Sequence, residues 1–472
     1  MLRSQLLTAV RPSSFATQLP SRIGPGARGI ALVVLGAAVL TTFVAPAAHA
    51  EPISGDVVVP PEPKIAEIEK AESLFRAGDF DKALKELENA VVKHAELPPA
   101  RLLFAQLMIR AGQVPQARTQ LEKTAMDHPD DPEAYAVLGD LAFGERRIVE
   151  AGLLFDKVGQ LTDKLDDKSV RKKSLAIRAQ AGQAAVAEFR GQWVLARDHL
   201  EAWNKLDDKN AVLHRRLGLV LFNLQKPKEA YAEFKLAAKY NPQMPPPEIA
   251  MGRLYHQAGS DDKNRAMAAD WMKLAVSEAP EDPRARAGVA EWYLETGNLD
   301  EAKKQAAEAL RVAPDSLDAK LVLGLIARMQ KEYASAETLF SEAYLASPDN
   351  FTARNQLALV LAEQPDDARR KRGLALAEDN AQRFSQSPEA AATLGWLYLK
   401  DGKLDRADKA LQAATSTGVV TPDTAYYLGK LSADRKQNVE AKRWLEKAIE
   451  STAPFFYRDA AQKLLDELRK QL

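Results

Sequence analysis

The chain has 472 residues, with 65 Lys plus Arg against 65 Asp plus Glu, so its formal net charge is zero. That balance excludes the one-sided basic surface that neutralises nucleic-acid phosphates, and no nucleic-acid partner is expected. The absence of cysteine excludes disulfides, thiolate metal sites, Cys nucleophiles and a lipid-modified N-terminal Cys.

Residues 1–50 contain no Asp, Glu or Lys, and their charges are Arg3, Arg11, Arg22 and Arg28. An apolar run over residues 30–44 follows, then Pro46 and the small-residue site Ala48, His49, Ala50. A basic region, an apolar region and an A-x-A site in that order predict a signal peptide cleaved near Ala50, with a periplasmic or secreted mature chain from Glu51. The run of ~15 residues is shorter than the ~20 that span a bilayer. The same Arg-rich, acid-free segment also fits a mitochondrial presequence, and left uncleaved it would act as an N-terminal membrane anchor. No later stretch of 18 consecutive apolar residues exists, so no transmembrane span is expected in the mature chain. Residues 51–63 hold four prolines and predict an extended linker.

Over residues 64–455 one pattern recurs. An Ala is preceded by a small residue twelve positions earlier and followed by a large apolar residue four later. It falls at Ala83, Ala117, Ala151, Ala196, Ala230, Ala268, Ala302, Ala336, Ala375, Ala407 and Ala441, and six of the ten intervals are 34. Small residues at a fixed register let two helix backbones approach closely, so each unit reads as an antiparallel helix pair. Gly78 and Gly402 supply turns, while Arg146, Gln225, Lys331 and Lys436 stand where other units have Gly. One pair cannot bury its own faces, so neighbours must stack. Insertions interrupt the period near 161–174, 259–263 and 364–373, and are expected in solvent-facing connections. Residues 456–472 carry Phe456, Ala460, Leu464, Leu465 and Leu468 at helical spacing and predict a capping helix.

This pattern resembles the tetratricopeptide repeat. The clearest matches are Leu394, Gly395, Trp396, Leu397 and Tyr398 with Gly402, Leu404, Ala407, Leu411 and Ala414, and Leu323 and Gly324 with Tyr333, Ala336, Phe340, Ala343 and Pro348. The resemblance implies an all-α, right-handed superhelical solenoid of about eleven helix-turn-helix repeats with a C-terminal capping helix. It also implies a protein-binding scaffold. Combined with the leader, this gives an exported, non-catalytic scaffold of the cell envelope, by family analogy part of a secretion, polysaccharide-export or cell-wall assembly. The alternatives are a glycan- or peptidoglycan-binding solenoid, or an accessory subunit of an envelope enzyme.

No catalytic set, cofactor or metal site is expected. None of the six histidines pairs with another at i+3 or i+4, and no nucleotide-binding or hydrolase motif occurs. The basic run Arg369, Arg370, Lys371 and Arg372 reads as a solvated loop, with an anionic polymer or lipid headgroup as the alternative ligand. The resemblance points instead to first-helix positions facing the concave groove. It nominates Phe143, Phe189, Arg215, Phe222, Asn223, Arg253, His256, Arg284, Arg328, Asn355, Trp396 and Tyr426 as partner-binding residues. Apolar anchors beside hydrogen-bond donors suit an extended peptide or a partner helix. The Lys/Asn carboxylate clamp of chaperone-binding relatives is not matched.

Overall fold

The computed structural model describes residues 65–470 apart from 95, 168, 260, 417, 419 and 452–454. The expected leader and linker lie outside the described residues. Regular structure among the described residues is entirely helical and falls in two compact units, one running to Met244 and one starting at Pro245.

The N-terminal unit has five antiparallel pairs. These are α1 (Ala66–Arg76) with α2 (Phe80–Lys93), α3 (Ala100–Arg110) with α4 (Val114–Asp127), α5 (Pro132–Gly144) with α6 (Ile148–Thr162), α7 (Val170–Phe189) with α8 (Trp193–Leu206), and α9 (Ala211–Asn223) with α10 (Pro227–Tyr240). The C-terminal unit has six pairs. They are α11 (Pro247–Ala258) with α12 (Asp262–Glu278), α13 (Pro283–Glu295) with α14 (Leu299–Val312), α15 (Leu317–Met329) with α16 (Tyr333–Ala346), α17 (Phe351–Glu363) with α18 (Asp367–Arg383), α19 (Pro388–Lys400) with α20 (Leu404–Ala414), and α21 (Pro422–Asp434) with α22 (Asn438–Glu450). Helix α23 (Arg458–Arg469) closes that unit against α22. Each unit is an all-α solenoid of stacked helix pairs.

The recurring Ala sets the pairing. Ten of the eleven have 0% exposure. The exception is Ala375, which is exposed. Gly373 occupies its place, because a Cβ there would lie 2.8 Å from the Ala358 carbonyl oxygen. Close backbone contact admits nothing larger than hydrogen at that point, and a search for Ala passes over it. Counted from Gly373, the flanking intervals become 37 and 34.

The turns follow one plan. Gly78, Gly112, Gly191, Gly297 and Gly402 have φ between 68° and 81°, and Arg146, Gln225, Lys331 and Lys436 adopt the same left-handed conformation at 60–62°. A side chain there costs about 1 kcal/mol. The turn's hydrogen bonds oppose that cost: Lys331 N–H donates to the Arg328 carbonyl (3.0 Å) and Glu332 N–H to the Ala327 carbonyl (2.8 Å).

The inserted residues divide between connection and helix: Asp163, Lys164, Asp166 and Asp167 are exposed in the turn after α6, while the residues beside them extend helices. Leu161 and Thr162 end α6 as buried residues, α7 extends to 20 residues, and Arg171 binds Asp131 and Glu133 at 2.9 and 2.6 Å. Asp261 caps α12 by accepting from the Asn264 amide. The basic run lies in the first turns of α18, where Arg369 pairs with Glu337 (3.2 Å) and Lys371 with Asp367 (2.7 Å). It is helical surface, partly neutralised, and not a loop.

Close approach has a testable cost. A Cβ on Gly324 would lie 2.7 Å from the ring of fully buried Phe340. Gly324→Ala is expected to destabilise the C-terminal unit by about 1–3 kcal/mol in urea unfolding, and Phe340→Leu to recover part of that loss. An unchanged midpoint would contradict the packing described.

Candidate functional site

The nominated residues separate into groups. In the N-terminal unit Phe143 and Phe189 meet edge to face (6.3 Å between centroids), near the C-terminal ends of α5 and α7, and Phe189 is 57% exposed. Arg215, Phe222 and Asn223 lie on α9, where the Asn223 amide donates to the Leu219 carbonyl of its own helix (2.9 Å). In the C-terminal unit Arg253 pairs with Glu291, and His256 lies 4.0 Å from Glu295. Arg284 is exposed and pairs with Asp282 (2.7 Å), the N-cap of α13.

The remaining four, Arg328, Asn355, Trp396 and Tyr426, come together. They lie on α15, α17, α19 and α21, the first helices of four successive pairs, each touching the next. Residues 455–457, just before α23, lie across them. Phe456 stacks under the Arg328 guanidinium, 3.7 Å from cation to ring centroid. The Tyr457 hydroxyl accepts from Arg328 (3.1 Å) and donates to Glu363 (2.7 Å). Its ring stacks on Tyr426 (4.9 Å, 11°) and meets Trp396 (5.1 Å). Trp396 in turn stacks on Tyr427 (4.7 Å, 13°). The expected capping helix begins at Arg458 rather than Phe456 because Phe456 and Tyr457 turn inward.

The electrostatics are those of a dry, charged site. Arg328 is 4% exposed, and its other hydrogen bond goes to Gln356 (2.7 Å). Burial opposes its charge, but Tyr457, Tyr427, Asp423 and Glu363 more than offset this and raise its pKa. Burial also opposes the Glu363 charge; Lys400 at 2.8 Å, the Tyr457 hydroxyl and Arg328 hold its pKa below the ordinary carboxylate value. Glu389 and Asp423 have weaker support, from Arg328 with the Asn355 amide and the Phe456 backbone amide respectively, and burial outweighs it. Burial, reinforced by the Asp423 charge, pushes Glu389 up to about 7, and burial pushes Asp423 up to about 6. Asn355, at 0% exposure, donates to Glu389 (3.1 Å).

Glu363, Glu389, Asp423, Tyr427 and the inserted Tyr457 escaped the sequence reading. A signal for part of this set existed. Asn355, Glu389 and Asp423 each lie 18 residues before the small residue of their own pair, namely Gly373, Ala407 and Ala441. They form one row along the first helices, visible once Gly373 replaces Ala375 as the marker.

Two stretches, residues 74–141 and 290–351, match family models described as Tetratricopeptide repeat. The chain carries tetratricopeptide repeats over these stretches, and such repeats form protein-interaction scaffolds. Among curated proteins it is similar to the DnaJ homolog subfamily C member 7 homolog of Schizosaccharomyces pombe, at 26% identity over 195 residues, 38% of this chain and 40% of that protein. The chain thus spans well under two thirds of that relative. Among solved structures it is similar to yeast Tom70 (14% identity, 86% of this chain and 95% of that one, TM-score 0.35). It is also similar to a chain of the APC/C hetero-tetramer Cut9-Hcn1 (14%, 85% and 89%, TM-score 0.41). YrrB, a repeat protein with an unusual peptide-binding site, is similar over 42% of this chain and 97% of its own (21%, TM-score 0.28). No helix among the described residues is long and apolar enough to cross a membrane.

Proposed function

We propose that the chain is an exported, non-catalytic scaffold of the cell envelope that holds segments of other proteins against its first-helix faces, within a secretion, polysaccharide-export or cell-wall assembly. The observation that carries the binding mode is the seating of residues 455–457 across α15, α17, α19 and α21, with an aromatic under Arg328 and a tyrosine between Arg328 and Glu363. A short turn segment leading into α23 is held there by its side chains, as those of a bound peptide would be. The export half rests on the order of charge, apolar run and A-x-A site in residues 1–50. Of the three rings that a glycan-binding reading needs, Trp396 and Tyr426 are 5% and 6% exposed and stack on other aromatics, and Phe222 is half-buried in the other unit. This favours a protein ligand.

N-terminal sequencing of the chain purified from its own cells tests the export reading. A mature start at Glu51 in an envelope fraction is expected. An intact Met1 in the cytosolic fraction would overturn it.

A further inference from the structure

The tail fits its site incompletely. Three buried oxygens beneath it have no hydrogen-bond partner: Oδ1 of Asn355, Oε2 of Glu389 and Oδ1 of Asp423. With Glu389 and Asp423 ionised, as at pH 8, all three are acceptors, and they belong to the row that α17, α19 and α21 present at one register position. Asn355 already bonds Glu389, and the Glu389 and Asp423 charges act on one another. The Phe456 backbone amide faces the Asp423 carboxylate, so the tail passes directly over this row. Buried acceptors without donors are costly, about 1–3 kcal/mol each. Their placement beside Phe456 indicates, once both carboxyls are ionised, a donor that the tail does not supply.

We propose that residues 455–457 stand in for a segment of a partner protein, and that this segment carries a lysine beside an aromatic–tyrosine pair. The pair sits as Phe456 and Tyr457 do, and the ammonium donates to Asn355, Glu389 and Asp423. Lysine fits better than arginine because three donors on one compact charge match three oxygens on three helices, whereas the guanidinium fork suits the two oxygens of one carboxylate. The charges agree. With Glu389 and Asp423 both ionised, they and Glu363 exceed Arg328 and Lys400 by one negative charge, which one ammonium neutralises. The tail then acts as a tethered competitor that the partner segment displaces. The inference rests on the scaffold reading for its partner class, but not on the location of the chain.

The test uses the mature chain and two labelled peptides followed by fluorescence anisotropy at pH 8. The first is acetyl-Lys-Phe-Tyr-Arg-Asp-Ala-amide, and the second has norleucine in place of the lysine. In the double variant Phe456→Ala/Tyr457→Ala the site is open. This chain is expected to bind the lysine peptide at least ten-fold more tightly than the unaltered chain does, and at least ten-fold more tightly than it binds the norleucine peptide. Adding Glu389→Gln should erase the difference between the peptides. If the double variant loses helical circular dichroism, Tyr457→Phe, which removes only the hydroxyl between Arg328 and Glu363, replaces it with the same expected order. Equal binding of the two peptides, or no gain on opening the site, would overturn the proposal. Because purified protein is used, that failure is separate from a failure of export, which the mature N-terminus reports.

Discussion

Replacing Arg328 by Met is expected to destabilise the C-terminal unit by about 3–5 kcal/mol at neutral pH, the usual cost of removing one partner from a buried charge network. Arg328 is 4% exposed and close to Glu363, Glu389, Asp423 and the phenols of Tyr427 and Tyr457. Methionine keeps most of the volume, so cavity formation adds little and the loss reports charge. It also frees the Tyr457 hydroxyl and Gln356 of their donor. Repeat arrays need not unfold as one unit, so hydrogen exchange of α15, α17, α19 and α21 is the appropriate readout, with lost protection concentrated there. The charge origin has its own check: Glu389→Gln added to Arg328→Met should recover part of the loss. A cost under about 1 kcal/mol would mean that Arg328 is not the counter-charge of this cluster.

The second large effect is on pH. Glu389 and Asp423 hold protons in the folded chain at pH values where the unfolded chain has released them, since their pKa values are pushed up to about 7 and about 6. Their contribution to stability is therefore fully present below the ordinary carboxylate pKa and is lost as pH rises through 6 and 7. At about 1.4 kcal/mol per pKa unit, the pair accounts for a decline on the order of 3 kcal/mol between pH 5 and pH 8. Arg328 from α15, Asn355 from α17, Tyr427 from α21 and the Phe456 amide of the tail act on this pair, and Glu363 and Tyr457 act in turn on Arg328 and Tyr427. Glu363 runs the other way, its pKa being lowered. The comparison that isolates the pair is the unaltered chain against Glu389→Gln/Asp423→Asn. The double variant should show a flatter pH profile and higher stability at pH 8. Parallel profiles would contradict the assignment.

The fold was legible because its signal is steric and local. Ten alanines at one register position mark where helices of a pair touch, and all ten are fully buried. Arg146, Gln225, Lys331 and Lys436 were recognisable by position alone as residues in glycine turns, and their φ values agree. Gly373 was missed for a related reason: at the tightest contact glycine replaces alanine, and the pattern shifts by two residues. Of the inserted charges, Asp163, Lys164, Asp166 and Asp167 lie exposed in the connection after α6, whereas Arg171 in α7 and the basic run in α18 are helical and ion-paired, which charge density alone does not distinguish.

The site was legible by halves. Arg328, Asn355, Trp396 and Tyr426 were nominated from register alone, and the structure brings these four first-helix positions together; that they bind a partner is the proposal. Whether those positions converge depends on how tightly successive pairs curve, and no local pattern encodes that. Phe456 fitted a helical periodicity, so the sequence placed it in the capping helix. The competing attraction of a buried guanidinium 129 residues before Tyr457 lies beyond any window of sequence.

The central claim is that the first-helix face of the C-terminal unit is a protein-segment site filled by residues 455–457. Crosslinking mass spectrometry in native cell fractions tests it most directly, comparing the unaltered chain with Phe456→Ala/Tyr457→Ala. Lys400, which pairs with Glu363, and Lys430 lie on α19 and α21 and report on this face. The account predicts that opening the site adds crosslinks from partner proteins to these lysines, while crosslinks to the N-terminal unit stay as they were. The same crosslinks before and after opening, with none on this face, would contradict it.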